Sequence, residues 1–414
     1  MFEEQKSAPW YRSRALIIGA SVVVLVVLAA GIYWGFRGET NEEHYSALEQ
    51  HRQQQAAQAP AAAPAATATP VAEASPGASP SPGGAAPPTA STRNYWTNFR
   101  GPKRDGNYEA APVLTSWPSG GLSPIWKQPV GVGYASFAVA DGRAYTIEQR
   151  RGQEVVAAYD VGTGREVWTQ AWNALYSDST GDGPRATPTW DEGRIYALGA
   201  TGELRCLDAN SGAVIWGKNI LSENGASNLQ WAMAASPLIV DDKVIVLPGG
   251  APNKSVVAYN KNTGAPVWKV LSDTQAYVSP MLVELAGRRQ IMVVSSSRVV
   301  GLVPETGALL WSHAWDTSGG INVSQPVVVD KNRFFISSGY GKGAALVEVK
   351  GSGNSFTATT IWENINMKNK FNSSVLHNGH VYGLDEGILT CVDVNTGDRK
   401  WKEGRYGYGQ VLLA

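Results

Sequence analysis

Seven short stretches of this 414-residue chain concentrate side chains that could bind or react. They are Tyr134 with Ser136; Asp182 with Arg185; Gln230, Trp231 and Met233; Gln275 with Tyr277; Asn322 with Gln325; Lys368, Lys370 and Asn372; and Tyr408 with Gln410. Rings give such a set flat apolar faces and the amides and charges fix orientation, which suits a flat ligand or an extended peptide. The alternative is a set that only satisfies loop backbone around a watery funnel. One carboxylate, Asp182, is too few hard oxygen ligands for calcium. His377 and His380 bracket a turn in LHNGHVY without the further ligands that zinc needs, and His44, His51 and His313 stand apart. No G-x-S-x-G, H-E-x-x-H or P-loop phrase is present. No catalytic residue and no metal site is therefore assigned.

The elements that must position these residues are written in a repeat. AYDVGTGREVW, CLDANSGAVIW, AYNKNTGAPVW, GLVPETGALLW and CVDVNTGDRKW end at Trp168, Trp216, Trp268, Trp311 and Trp401, with weaker members ending at Trp126 and Trp362. Successive tryptophans are 42, 48, 52, 43, 51 and 39 residues apart, the period of a four-stranded propeller blade. Short alternating runs such as RIYAL, KVIVL and HVYGL between DEG, VDD and HNG turns are hairpin signals. The spacing thus predicts an all-β propeller in which each of these seven tryptophans returns on an outer strand and packs against the neighbouring blade. Loops into the innermost strands converge on the mouth of a propeller's channel, and all seven stretches fall there. Cys206 and Cys391 hold equivalent places in distant repeats, too far apart for a disulfide, and read as reduced core residues.

Ahead of the repeats, residues 15–36 run for 22 residues without a charge, long enough to span a bilayer as a helix. Arg12 and Arg14 flank one end and Glu39, Glu42 and Glu43 follow the other, which places residues 1–14 in the cytoplasm and the rest outside it. A cleaved leader ending near Ala29-Ala30-Gly31 is the competing reading; the long run and the bulky Ile32-Tyr33-Trp34 favour a retained anchor. Residues 37–58 form a polar membrane-proximal segment, of which 41–58 suits a short helix. Residues 59–92 are almost wholly Ala, Pro, Ser, Thr and Gly, a disordered linker that could reach on the order of 100 Å at about 3.1 Å per residue. The propeller domain occupies residues 93–414. Thirty-five basic and 35 acidic residues balance, which argues against a nucleic-acid partner.

The phrase A-x-D-x-x-T-G-x-x-x-W resembles the tryptophan-docking motif of pyrroloquinoline quinone (PQQ)-type propeller repeats, shared by quinoprotein dehydrogenases and BamB-type outer-membrane assembly lipoproteins. The resemblance covers residues 126–401, and the lead-in from Trp96 to Gly106 is similar to that of bacterial PQQ-like repeat proteins. It implies eight blades when complete. The chain ends one strand into the repeat after Trp401, so it reads either as a truncated sequence, the favoured expectation, or as a ring closed by residues 94–125.

The resembling dehydrogenases use adjacent cysteines, a calcium ion and an aspartate base. This chain has no adjacent cysteines, so no cofactor is expected; PQQ with Ca²⁺ is the alternative, with Asp182, Arg185, Trp231 and Lys370 as its best remaining elements. The expected role is a protein-interaction or assembly scaffold at the inner membrane with its propeller in the periplasm and an unidentified protein partner. The partner-binding candidates are Tyr134, Asp182, Arg185, Gln230, Trp231, Tyr277, Asn322, Lys368, Lys370 and Tyr408. A quinoprotein-type oxidoreductase or a small-ligand sensor is the other reading.

Overall fold

The computed structural model describes residues 41–58 and 95–414 apart from Asn354. The expected span at 15–36, the residues before it and the linker at 59–92 lie outside the described residues. Among the described residues no helix is long and apolar enough to cross a membrane. Helix α1 (Asn41–Gln58) occupies the polar stretch that suggested one, with Glu42 and Glu43 in its first turn, where they complement the helix dipole.

Residues 138–403 form six four-stranded antiparallel sheets, each a meander in chain order. The first is β1 (Ala138–Ala140), β2 (Arg143–Arg150), β3 (Gln153–Asp160) and β4 (Glu166–Asn173). The others occupy residues 189–219, 238–270, 281–314, 327–364 and 375–403. The middle strands β2 and β3 are buried along nearly their whole length, whereas β4 is mostly exposed and carries its burial at alternate residues. That difference is the mark of sheets stacked face to face, in which middle strands meet neighbours on both sides. Five apolar clusters join the successive sheets. Tyr145, Val156, Ile195 and Leu207 bridge the first pair, and Val327, Phe335, Val381 and Val392 the last.

The recurring phrase makes the turn between the third and fourth strands. Asp160 accepts from the Thr163 amide and hydroxyl, both at 2.8 Å, while the Gly164 amide closes onto the Asp160 carbonyl. Asp208 with Ser211 and Asn260 with Thr263 repeat the arrangement. A register shift follows in every outer pair and sets each tryptophan opposite the third strand: Trp168 on Ala158, Trp216 on Cys206 and Trp401 on Cys391.

Five of the seven tryptophans then bond the turn of the next repeat. The indoles of Trp126, Trp168, Trp216, Trp268 and Trp362 donate to the carbonyls of Val161, Ala209, Lys261, Pro304 and Val394. Each ring lies against the turn glycine there; at Gly212 (φ +74°) a Cβ would come within 2.5 Å of Trp168. Trp311 packs against the neighbouring sheet by a different contact, and Trp401 departs from the expectation. The next repeat offers Trp311 no Asp-x-x-Thr-Gly turn, since residues 343–364 form a long hairpin through Gly353 instead. Its indole donates to Gln290 of its own sheet and stacks on Phe334. Trp401 is 37 % exposed beside Tyr382 of its own sheet, and residues 404–414 contain no such turn.

Residues 95–108 run as a strap across the starts of the inner strands. Trp96 bridges to Val139 in β1, and Asn107 pairs in parallel with Leu413. Arg104, 1 % exposed, donates to the carbonyls of Ser236 and Pro280, both at 3.0 Å, to the Pro237 carbonyl and to the Thr189 hydroxyl, so one guanidinium ties the second, third and fourth sheets. Arg100 reaches the carbonyls of Ser374, at the sixth sheet, and Val411. Burial alone pulls Arg104 down to about 9, and burial offset by Asp105 pulls Arg100 to about 10, so both remain charged at neutral pH.

Candidate functional site

Above the strap lies a cavity of about 570 Å³, walled by the loops that lead into the inner strands. Seven aromatic side chains face it: Phe99 from the strap, then Tyr134, Trp231, Tyr277, Tyr340, Phe371 and Tyr408. Trp231 leans on Tyr277 at 5.6 Å between centroids, and Phe371 meets Tyr408 edge-on at 5.1 Å. Ring pairs in this geometry hold one another in place, so the wall presents set faces.

Two cations belong to the site. Arg185 lies over Tyr176 at 4.6 Å and Tyr134 at 5.4 Å, and is neutralised by Asp178 at 2.9 Å. Burial pushes Asp178 upward, but the Thr180 and Tyr176 hydroxyls, the Thr180 amide and Arg185 outweigh it and hold the carboxyl at about 2. Burial first, then the bond to Asp178, raises Tyr176 to about 12. Lys370 is different. Its ammonium lies 5.2, 5.3 and 5.5 Å from the Tyr340, Tyr408 and Phe371 rings, and among the described residues no carboxylate pairs with it.

The sequence candidates divide accordingly. Tyr134, Arg185, Trp231, Tyr277 and Tyr408 line the cavity, with Lys370 beside three of its rings. Asp182 faces away and accepts from the Ser177 hydroxyl at 2.6 Å, and Gln230 contributes its carbonyl to the Tyr176 hydroxyl. Asn322 is buried under the wall, bonded to the Ser295 carbonyl and the Ser338 hydroxyl. Lys368 is drawn to Asp385 at 3.1 Å and Glu386 at 3.7 Å. All four are outside the cavity wall, and nearer partners satisfy the side chains of Asp182, Asn322 and Lys368. Phe99, Tyr340 and Phe371 were missed. Phe371 sits between two polar residues that drew notice, and Tyr340 comes from a middle-strand hairpin that the loop rule does not sample.

The calcium-and-quinone arrangement of the dehydrogenases does not fit these side chains. The cavity wall carries no carboxylate, the Asp178 oxygens are taken up by Thr180, Tyr176 and Arg185, and both cysteines are buried in strands. Among the described residues no cluster of His, Cys, Asp and Glu could hold a metal ion. No step is derived through that group.

Stacked four-stranded sheets with indoles seated on successive turns, whose entry loops share a cavity, define a PQQ-like β-propeller repeat protein. A family model described as outer membrane protein assembly factor BamB matches residues 151–403. The chain belongs to that family. It is also similar to the quinoprotein ethanol dehydrogenase of Pseudomonas aeruginosa, 28 % identical over 157 residues, 34 % of this chain and 25 % of that protein. The corresponding enzyme of Pseudomonas putida is 25 % identical over 184 residues, 38 % of this chain and 29 % of its own. The match thus spans about a quarter of the length of these curated relatives. Among solved structures, BamB from Moraxella catarrhalis aligns with a TM-score of 0.43 at 20 % identity, covering 65 % of this chain and 72 % of that one. Quinohemoprotein alcohol dehydrogenase from Comamonas testosteroni aligns at 0.35 and 14 %, covering 68 % of each.

Proposed function

We propose that this chain is a non-enzymatic interaction or assembly scaffold, anchored in the inner membrane by residues 15–36, with its propeller carried outside the cytoplasm on the 59–92 linker. The observation that carries the reading is the bowl itself: seven ring faces around about 570 Å³, with Arg185 and no carboxylate in the wall and Lys370 beside three of the rings. Such a surface gains from burying apolar side chains and offers few groups able to act as general base or nucleophile. Membership of a family described as an assembly factor supports the same role. In this reading the complete ring is eight-bladed.

The test is photo-crosslinking in cells from a photoreactive residue placed at Tyr134 in the full chain. Discrete polypeptide adducts that disappear when Trp231 and Tyr277 are both replaced by Ala are expected. Absence of adducts, together with PQQ-dependent alcohol oxidation by the purified chain, sinks the proposal. The oxidoreductase reading is favoured by the match to the two quinoprotein ethanol dehydrogenases. It requires activity that falls when Arg185, which lines the cavity, becomes Ala.

A further inference from the structure

We propose that the bowl takes the carboxyl end of a partner polypeptide, with the terminal carboxylate at Lys370 and the last apolar side chains against the rings. The inference rests on the scaffold reading and specifies its ligand.

Charge comes first. Arg185 already has Asp178 at 2.9 Å, whereas Lys370 has three aromatic faces and, among the described residues, no carboxylate. Ring faces attract an ammonium and steady it, yet they leave its positive charge uncancelled for an incoming anion. The missing partner is therefore a carboxylate supplied by the ligand, where a charge-assisted bond in a half-buried setting is stronger than one on the surface.

Shape narrows the source. Phe99 floors the cavity, and beneath it the strap is fixed by Arg104 on the Ser236, Pro237 and Pro280 carbonyls and by Arg100 on those of Ser374 and Val411. The strap thus lies across one side of the cavity. A chain end, which needs only one opening, is the kind of polypeptide ligand that a cavity floored in this way suits. The rings of Tyr340, Phe371 and Tyr408, which surround the ammonium, also line the cavity. A carboxylate at Lys370 therefore brings the side chain of the last residue onto aromatic surface.

The experiment uses the full chain purified in detergent and two fluorescein-labelled pentapeptides ending in Leu-Phe, one a free acid and one a C-terminal amide. Fluorescence anisotropy should show saturable binding of the acid and at least about tenfold weaker binding of the amide, the size expected for one charge-assisted hydrogen bond. Lys370→Gln should abolish the preference for the acid over the amide, and Lys370→Arg should restore it. Equal binding of acid and amide, or an acid preference that survives Lys370→Gln, overturns the proposal. So does failure of both peptides to bind while the Tyr134 crosslinks persist, an outcome that leaves the scaffold reading standing. Free PQQ is the control ligand: if it binds saturably, is lost in Lys370→Gln, and neither peptide binds, chain-end capture and scaffold fall together.

Discussion

Arg104 and Pro280 are separated by 176 positions in the chain and joined by a 3.0 Å hydrogen bond from guanidinium to carbonyl. The same guanidinium serves Ser236, Pro237 and Thr189, so a residue ahead of every blade fastens the inner edges of three of them. A planar group with five donors can meet several carbonyls from different directions at once, which a point-charge ammonium does less well.

Removing those donors leaves buried carbonyls without partners, at about 1–3 kcal/mol each. Arg104→Met, which keeps most of the volume, should cost on the order of 3 kcal/mol, and Arg104→Lys should recover only part of it. Thermal unfolding followed by tryptophan fluorescence should rank the native chain above Arg104→Lys, and Arg104→Lys above Arg104→Met. A methionine variant as stable as the native chain would show that the strap is not a fastening.

Between blades the corresponding joint is the indole on the turn glycine. Gly212 has φ +74° and its absent Cβ would sit 2.5 Å from the Trp168 ring. Gly212→Ala therefore combines backbone strain with displacement of the ring and should lose about 2 kcal/mol or more. Trp168→Phe, which deletes the 3.0 Å bond to the Ala209 carbonyl while keeping a ring, should lose about 1 kcal/mol for the bond and somewhat more for the lost area. Denaturant midpoints of the two variants settle the ordering, and the opposite order would place the joint's strength in the indole bond.

Both cysteines are buried, and each lies opposite a tryptophan of its own sheet. Burial pushes Cys206 to about 11, only partly offset by the Tyr196 hydroxyl, and raises Cys391 in the same direction. A thiol whose pKa lies above the buffer pH is protonated and a poor nucleophile. At about pH 8, near the ordinary thiol value, a thiol reagent should label neither residue in the folded chain and both after denaturation. Rapid labelling of the folded state, or a disulfide-linked species, contradicts this.

Much of this was legible because a repeat is self-checking. The period, the Asp-x-x-Thr-Gly turn and the closing tryptophan each specify the same four-stranded unit, and six such sheets are present. The departures have local causes: without the turn phrase in the next repeat, Trp311 bonds Gln290 instead. The site was less legible. Polar type and loop position pointed to Asn322 and Lys368, whose polar groups are satisfied by Ser295, Ser338 and Asp385. The same rule passed over Phe99, Tyr340 and Phe371, because an aromatic residue in a β-rich sequence reads as core until the fold shows it facing a cavity. Arg104 lay in the Trp96–Gly106 lead-in that carries a family resemblance, but nothing there indicated its fastening role, since its partners are mostly backbone carbonyls of residues far away in sequence.

The loop 175–185, which carries Arg185 to the bowl, has a pH dependence that follows from one carboxyl. Asp178 accepts from the Tyr176 hydroxyl at 2.8 Å, the Thr180 amide at 2.7 Å and Arg185 at 2.9 Å. Its folded pKa of about 2 lies below the ordinary aspartate value of 3.8, so the ionised form is favoured by folding. The stabilisation is complete above about pH 4 and is lost as pH falls from there through about 2. Because the group is close to solvent, salt screening should diminish the contribution. Asp178→Asn should remove the dependence and release Arg185 from its one carboxylate partner in the cavity. Two-dimensional NMR of the Arg185 side-chain Nε–H, followed from about pH 6 downward, should show a shift with a midpoint near 2 in the native chain and none in the variant. A midpoint near the ordinary value of about 4 would mean that the loop does not hold the carboxylate, and that the cavity has two uncompensated cations rather than one.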